Sequence, residues 1–494
     1  MAALNKKTAS ITPVHLQTTP MKHSANGNLQ YVKTNKTSLI EIATATLYGK
    51  DTFYNSSDEL FTRLKSNLEK LVLDNELDFI ANVALYARTQ MDLRTYPIVL
   101  VVELAAALAR SKKHYLNMRQ LVCDVITRCD ELTELYSYAL KVFGSKKSIP
   151  LAIKKGVADA FNKFDEYQFS KYNGGNKSLT FKDLLRIVHP KPANEEKSKI
   201  FAGIMNDSLA IAYTWETQLS ANGQKHELEQ KPKATIWKEL ISSNKLGYMA
   251  LLKNLRNIEE TKDATLIQMA ATNISNESLV LRSKQLPMSF LQAYENVTST
   301  VLKNAIANAI KISSQNIPNM GNEILVVVDN SGSMSGNPIK LASLFASMIV
   351  GGHKDSKVTG VVFGNAAGYV NFSDDFNQTS TIIARSGFGG GTNFDSVIKL
   401  IGNNKYDAVF ILSDGDVNRT SLSRCAKLGV NKDSVQVIFN FNASETTPFK
   451  ENSAFFITGL SHKVFNYLKY SNESNGIADL LSVPYKAFPV VYKK

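Results

Sequence analysis

Cysteine is scarce, with 3 in 494 residues. Cys123, Cys129 and Cys425 form no CxxC pair, which excludes a disulfide framework and points to a reducing compartment, the cytoplasm. Cys123 and Cys129, six apart in a helical stretch, read as buried apolar thiols. No apolar run is long enough to span a bilayer: the longest, Tyr96 to Ala109, carries Glu103 and reads as a buried helix. The residues up to about Lys36 are polar and lack the apolar stretch of a secretory signal. Catalytic arrangements are missing too. Ser333 lies between Gly332 and Met334, outside any Gly-x-Ser-x-Gly elbow. Gly387–Gly391 is not followed by Lys-Ser/Thr, so it is no phosphate-cradling loop, and there is no His-Glu-x-x-His helix or Cys/His cluster. The expectation is a protein that is not an enzyme.

What is present is an ordinary globular composition, 44% hydrophobic and 20% charged, with a formal net charge of +13. The length implies two to four domains. The charge is unevenly placed. Residues 319–494 hold 16 basic and 14 acidic side chains, whereas residues 1–318 hold 41 and 30, a net of +11. A basic surface attracts polyanions, but a Lys-rich surface also simply solubilises, and composition alone weighs the two equally.

From about residue 38 to 318 the pattern is helical. Leu60, Leu64, Leu68 and Leu71 make one apolar stripe, and Leu121, Val122, Val125, Ile126 and Cys129, then Ile236, Leu240 and Ile241, repeat the logic. Breaks are expected at Pro97, Gly144, Pro150, Pro190–Pro192, Pro232 and Pro287, among others. Helices in series without strands suggest stacked helix pairs, although no fixed sequence period is visible. Residues 1–37 read as a flexible N-terminal segment. After Pro318 the pattern changes. Short apolar runs at Ile324–Val328, Val358–Phe363, Ala408–Leu412, Val435–Phe439 and Phe455–Ile457 alternate with helical stretches at Leu341–Val350, Val397–Ile401 and Leu422–Leu428. Residues 319–494 therefore read as a doubly wound parallel-sheet α/β domain.

The first of these runs leads into Asp329-Asn330-Ser331-Gly332-Ser333. One carboxylate and two hydroxyls thus stand at a strand's carboxyl end, where open α/β sheets bind ligands. Gly389-Gly390-Gly391-Thr392 offers another hydroxyl, and Ile411-Leu412-Ser413-Asp414-Gly415 a second carboxylate. A hard divalent cation such as Mg²⁺ favours such oxygen donors. A lone Asp-x-Ser-x-Ser often only caps a helix, but three segments in order, each at an expected strand end, are specific. The set resembles the metal-ion-dependent adhesion site of von Willebrand factor A domains. That resemblance implies Ser331, Ser333 and Thr392 as direct donors, with Asp329 and Asp414 acting directly or through water, and an open position for an acidic partner group. After Thr392 this chain has Asn393-Phe394-Asp395, where the family often has Asp directly.

Cations concentrate between Lys146 and Lys191, including Lys147, Lys154, Lys155, Lys163, Lys171 and Lys177. Lys182, Arg186 and His189, spaced i, i+4, i+7, are expected on one helix face. Phe164, Tyr167, Phe169, Tyr172 and Phe181 are interleaved with them. Bases can stack on such rings, yet spacing alone favours core aromatics beneath a solvated face. The segment Lys182-Asp183-Leu184-Leu185-Arg186-Ile187-Val188-His189-Pro190-Lys191-Pro192 resembles the signature of the TROVE domain, the helical module of Ro ribonucleoproteins. Leu151–Phe161, Trp237–Leu240, Met249–Arg256 and Leu281–Pro287 agree with it, and Ro proteins also carry a C-terminal von Willebrand A domain. The resemblance spans about residues 38–494. It implies a HEAT-like helical repeat ring that binds small non-coding RNAs: single-stranded 3′ ends of misfolded RNAs in a basic hole, Y-like RNAs outside. RNA contacts would fall on Lys182, Arg186 and His189, with Lys154, Lys155 and Arg282. It further implies a monomeric scaffold in RNA quality control or processing, working with an exoribonuclease or other protein and with no membrane. The competing reading is a metal-dependent protein-interaction module whose A domain grips an acidic group through Mg²⁺ or another divalent cation.

Overall fold

The computed structural model describes residues 20–23, 27, 29–45, 56–173, 178–283, 285, 287–315, 317, 319–415, 430–440, 445–447, 455–457 and 481–485. Helices run in series from Asn35–Ala45 to Thr300–Ser314. The first leucine stripe lies on the helix Ser57–Leu73, where Leu60, Leu64, Leu68 and Leu71 are all buried. Ser56 caps that helix by accepting from the backbone of Glu59, whose side chain returns the bond in a capping box. Ile236, Leu240 and Ile241 are likewise buried on Lys233–Ser242.

Contacts between helices recur at a separation near 40 residues. Lys36 pairs with Glu76 at 2.8 Å, Arg110 with Glu69 at 2.9 Å, Arg94 with Glu134 at 3.1 Å and Arg119 with Asp159 at 2.6 Å. The amides of Thr298 and Ser299 donate to Glu259, 39 and 40 residues earlier. These exposed pairs contribute at most about 1 kcal/mol each, whereas burying one leucine contributes about 1.5–3 kcal/mol. The apolar stripes therefore drive the stacking and the ion pairs set its register. Where Met118–Val125 meets Leu151–Phe161, glycine is required: a Cβ on Gly156 would lie 2.5 Å from Val122 Cβ and 2.6 Å from the Arg119 carbonyl.

The sheet has six strands among the described residues. They are β3 (Glu323–Asp329), β4 (Lys357–Phe363), β5 (Ala367–Val370), β6 (Tyr406–Ser413), β7 (Val430–Asn440) and β9 (Phe455–Ile457), in the order β5-β4-β3-β6-β7-β9. All neighbours are parallel except β4 and β5. β3 alternates between two cores. Ile324, Val326 and Val328 join the helix Asn337–Gly352 and the helical array, while Leu325 and Val327 face Phe394, Val397 and Ile401. Because the chain crosses from β3 to β4 on one side and later returns to β6 on the other, the strand order reverses at β3. The crevice at the carboxyl ends of β3 and β6 is thus the expected ligand position.

Several expectations need correction. The N-terminal segment of residues 1–37 is not wholly irregular: β1 (Met21–His23) and β2 (Leu29–Val32) pair antiparallel, and β2 also pairs with β8 (Thr446–Thr447). Backbone ladder bonds to a strand more than 400 positions away override its polar composition. Leu121–Cys129 is not one helix: Met118–Val125 ends at extended Ile126, and Cys129 precedes a new helix, Asp130–Phe143. Pro97 does not break a helix but sits in the first turn of Thr95–Ser111, where its missing N–H costs nothing. The edge strand β5, with its small residues Ala367 and Gly368, gave no apolar run, and the helix Phe376–Arg385 is a further addition. The expected helix Leu422–Leu428, together with Cys425, lies outside the described residues.

Replacing Gly156 by Val is expected to lower stability by about 1–3 kcal/mol through overpacking. Denaturant unfolding of the full chain checks it: an unmoved midpoint would contradict the close helix crossing.

Candidate metal centre and nucleic-acid interface

β3 runs out at Asp329, whose side chain is wholly buried. Its Oδ1 accepts the Ser331 backbone N–H at 2.9 Å and its Oδ2 accepts the Ser413 hydroxyl at 2.7 Å. The Ser331 and Ser333 hydroxyl oxygens are 3.0 Å apart on the short turn Gly332–Met334. The glycine-rich loop is drawn to this turn. Ser331 bridges Gly390 in parallel, and the Gly332 N–H donates to the Gly390 carbonyl at 2.8 Å. Thr392, two residues on, is buried at the same rim. Asp414, also buried, follows β6, whose register sets Leu412 opposite Val328. The structure thus brings all five expected residues to one rim.

Burial, then the nearby Asp414 charge, pushes the Asp329 carboxyl up to about 7. Two acids in a dry site favour either protonation of one of them or a compensating charge, which a divalent cation would supply. Among the described residues no three His, Cys, Asp or Glu side chains gather as metal ligands. The donor set of two carboxylates and three hydroxyls therefore suits a hard cation rather than zinc.

Three supporting residues carried no sequence signal. Ser413 donates to Asp329 while accepting the Gly415 N–H at 3.0 Å. Asn365 clamps the threonine loop: its Oδ1 accepts the Gly391 N–H at 2.8 Å and its carbonyl accepts the Asn393 amide at 3.2 Å. The third is Gln30, far away in sequence on β2, whose amide donates to the Gly415 carbonyl at 3.2 Å. Hydroxyls and amides of this kind are too common in loops for their partners to be read from spacing.

The cationic helices sort into two groups. In the first, the cation is engaged within the fold. Lys163 donates to the Cys123 carbonyl at 2.8 Å and to that of Ile126 at 2.5 Å, closing the end of Met118–Val125. Lys197 reaches the Phe164 carbonyl at 2.8 Å, and Lys182 pairs with Asp207. In the second group, Lys155, Arg186 and His189 are exposed and Lys154 is half-buried. None of these four side chains has a hydrogen bond or ion pair among the described residues. Arg282 is exposed on Glu277–Ser283, its Nε donating to the Ser278 carbonyl at 3.2 Å. Lys177 lies outside the described residues.

The helix Phe181–Val188 buries Phe181, Leu184 and Leu185 and presents Arg186 to solvent. His189 is not a further helical position: it is the helix's left-handed C-cap, with φ 47°. The interleaved aromatics are mostly core. Phe169 lies 5.2 Å from Phe181 and 5.8 Å from Phe161, ring to ring, and Phe164 packs edge-on at 6.2 Å. Arg128 covers Tyr172 at 5.3 Å, and only Tyr167 of these five rings is exposed.

With this geometry in place, comparison with known proteins is decisive for the helical part. The TROVE domain profile matches residues 26–210 and 205–330. The chain belongs to the TROVE domain family. The match begins ahead of β2, so that strand lies within the TROVE region. Telomerase protein component 1 of Mus musculus is 25% identical over 302 residues, covering 45% of this chain, and that of Rattus norvegicus is 24% identical over the same length. This chain spans 11% of the length of each of these relatives. The crystal structure of the Ro (RSR) protein of Deinococcus radiodurans superposes with a TM-score of 0.56 at 12% identity, over 89% of this chain and 100% of that one. That span exceeds the helical part, so the shared fold includes the sheet. No helix among the described residues is long and apolar enough to cross a membrane.

The sorting of TROVE-region cations gives a stability test. Lys163→Ala removes the donor shared by two helix-end carbonyls, the Ile126 one partly buried, and is expected to cost about 1 kcal/mol. Exposed Lys155→Ala and Arg186→Ala should each stay within about 0.5 kcal/mol of the parent. Equal losses in all three denaturant curves would contradict the division.

Proposed function

We propose that this TROVE protein is a non-catalytic RNA-binding scaffold, taking small non-coding RNAs and single-stranded 3′ ends of misfolded RNAs onto a basic helical surface. The observation that carries this reading is that Lys155, Arg186 and His189, in the family-matched region, are exposed and free of ion pairs among the described residues, while neighbouring cations are engaged in holding the fold. Free surface cations meet phosphates; because they are mostly Lys rather than Arg, contact is by charge more than by bidentate readout. Lys154, Lys182 and Arg282 complete the proposed RNA contacts, with Lys182 released from Asp207 when a phosphate competes for it. In this reading the helices curl into a HEAT-like ring, the protein acts as a monomer in the cytoplasm, and an exoribonuclease or other protein joins through RNA. Y-like RNAs are candidate ligands of the outer face.

The sheet region is, in the same reading, a von Willebrand factor A domain whose rim holds Mg²⁺ or another divalent cation through Ser331, Ser333 and Thr392, with Asp329 and Asp414 bound directly or through water. The buried, mutually repelling acids favour it. This supports a second role, metal-dependent capture of an acidic partner group: a protein partner lost on chelation and retained after RNase would favour that role over RNA scaffolding.

Filter binding of a structured RNA with a single-stranded 3′ tail, across a salt series, tests the main reading. Each single-strand phosphate contact adds about 0.7 to the slope of log affinity on log salt. The Lys155→Ala/Arg186→Ala double variant is expected to bind about tenfold or more weakly and to lose roughly 1.4 of that slope. Unchanged affinity and slope would sink the assignment.

A further inference from the structure

The metal rim and the N-terminal strands meet at one side chain. Gln30 on β2 is almost fully buried, and both ends of its amide are used. Nε2 donates to the Gly415 carbonyl at 3.2 Å, and Oε1 accepts the Thr446 hydroxyl at 2.8 Å. Gly415, at φ 81°, directly follows Asp414. Its N–H bonds Ser413 Oγ at 3.0 Å, and that hydroxyl bonds Asp329 Oδ2 at 2.7 Å. Hydrogen bonds therefore run without a gap from Gln30 through Gly415 and Ser413 to the buried carboxylate at the centre of the rim.

The same amide sits in a seam that joins the beginning of the TROVE region to the far side of the sheet. β2 pairs with Thr446–Thr447, the Lys33 N–H donates to the Glu445 carbonyl at 3.0 Å, and Glu445 takes Lys22 at 2.7 Å and Arg63 at 3.7 Å. Apart from Gln30 these ties are backbone bonds of short strands and partly exposed ion pairs, each modest in strength. The seam is thus the kind of contact whose closure a modest local change can tip.

We propose that Gln30 is a positioning residue of the cation site, so that divalent-cation binding at the Asp329/Asp414 rim and closure of the N-terminal seam are one coupled event. A cation that fixes Asp414 and Asp329 also restrains Gly415, whose N–H is held by Ser413 and whose own carbonyl is the one Gln30 needs. Conversely, a seated Gln30 holds that turn in its binding geometry. Linkage makes the effect reciprocal: the factor by which the cation tightens the seam is the factor by which the seam tightens cation binding. This inference rests on reading the rim as a divalent-cation site, and its test reports that reading separately.

The test uses the full chain with Mn²⁺ as the probe. Free-Mn²⁺ paramagnetic resonance gives the binding constant. Hydrogen exchange read by mass spectrometry, with Mn²⁺ or with EDTA, gives seam closure from peptides covering residues 29–33 and 445–447. The helix Asp130–Phe143 serves as a reference. The expected result is Mn²⁺ binding with exchange slowed at least about fivefold in the seam and unchanged in the reference helix. Gln30→Met, which keeps the shape and removes the bonds, should abolish the slowing and weaken Mn²⁺ binding by the same factor. If that variant does not fold, Ser413→Ala interrupts the relay from its other end and should give the same seam readout. Mn²⁺ binding with no change in seam exchange, or with equal slowing in the reference helix, overturns the coupling while leaving the cation site standing. Absence of Mn²⁺ binding overturns the cation reading and the coupling together.

Discussion

A helix of this array cannot bury its apolar stripe alone; it needs the helix about 40 residues away in either direction. Stacking of this kind is a nearest-neighbour arrangement, and its unavoidable weakness is at the two ends, where a helix has a neighbour on one side only. Here both ends are covered by the other half of the chain. At the late end, Thr300–Ser314 packs on Asn337–Gly352 of the sheet, so closely that a Cβ on Gly351 would lie 2.6 Å from Ser314 Oγ. At the early end, Asn82 donates to the carbonyls of Leu481 and Val483 at 3.0 and 2.8 Å, and the Tyr485 hydroxyl reaches Asp124 at 2.7 Å. Leu481 and Tyr485 join the same continuous core as the first helices.

This arrangement gives the N-terminal strands their importance. The buried pair Lys33–Glu41, at 2.6 Å, fixes β2 on the first helix. Desolvating two charges is costly, so such a pair adds little net stability but allows one seating of the strand. The seam beside it then sets the early helices against the loop that carries the second rim carboxylate. The two halves of the molecule have separate proposed chemistries, cationic helices for polyanions and an oxygen-lined rim for a hard cation, yet they share a boundary.

Much of this was legible in the residues. The leucine stripe of Ser57–Leu73, the apolar β-branched strands β3, β4 and β6, and the ordering of Asp329, Ser331, Ser333, Thr392 and Asp414 all reflect periodicity or strand-end placement, which local sequence carries directly. What stayed hidden depends on distant partners. β2 is a strand because Thr446 and Thr447 lie alongside it; β5 exists because Gly368 leaves room for the Phe388 ring, which a Cβ would meet at 2.1 Å. His189 reads as the next position on a helix face until the chain turns left-handed there. Lys163 and Lys155 look alike in sequence, and only the carbonyls of Cys123 and Ile126 separate a helix-closing lysine from a solvent-facing one. The repeat near 40 residues shows in ion-pair separations although no fixed sequence motif marks it.

The exposed cations of the TROVE region are, in the proposed function, a surface for RNA. Ultraviolet crosslinking of the full-length protein in native cells, followed by sequencing of the bound RNA and mapping of the crosslinked peptides, tests it most directly. Co-purifying structured RNAs with crosslinks within residues 146–191 are the expected result. Absence of bound RNA, or crosslinks confined to residues 319–494, would contradict it.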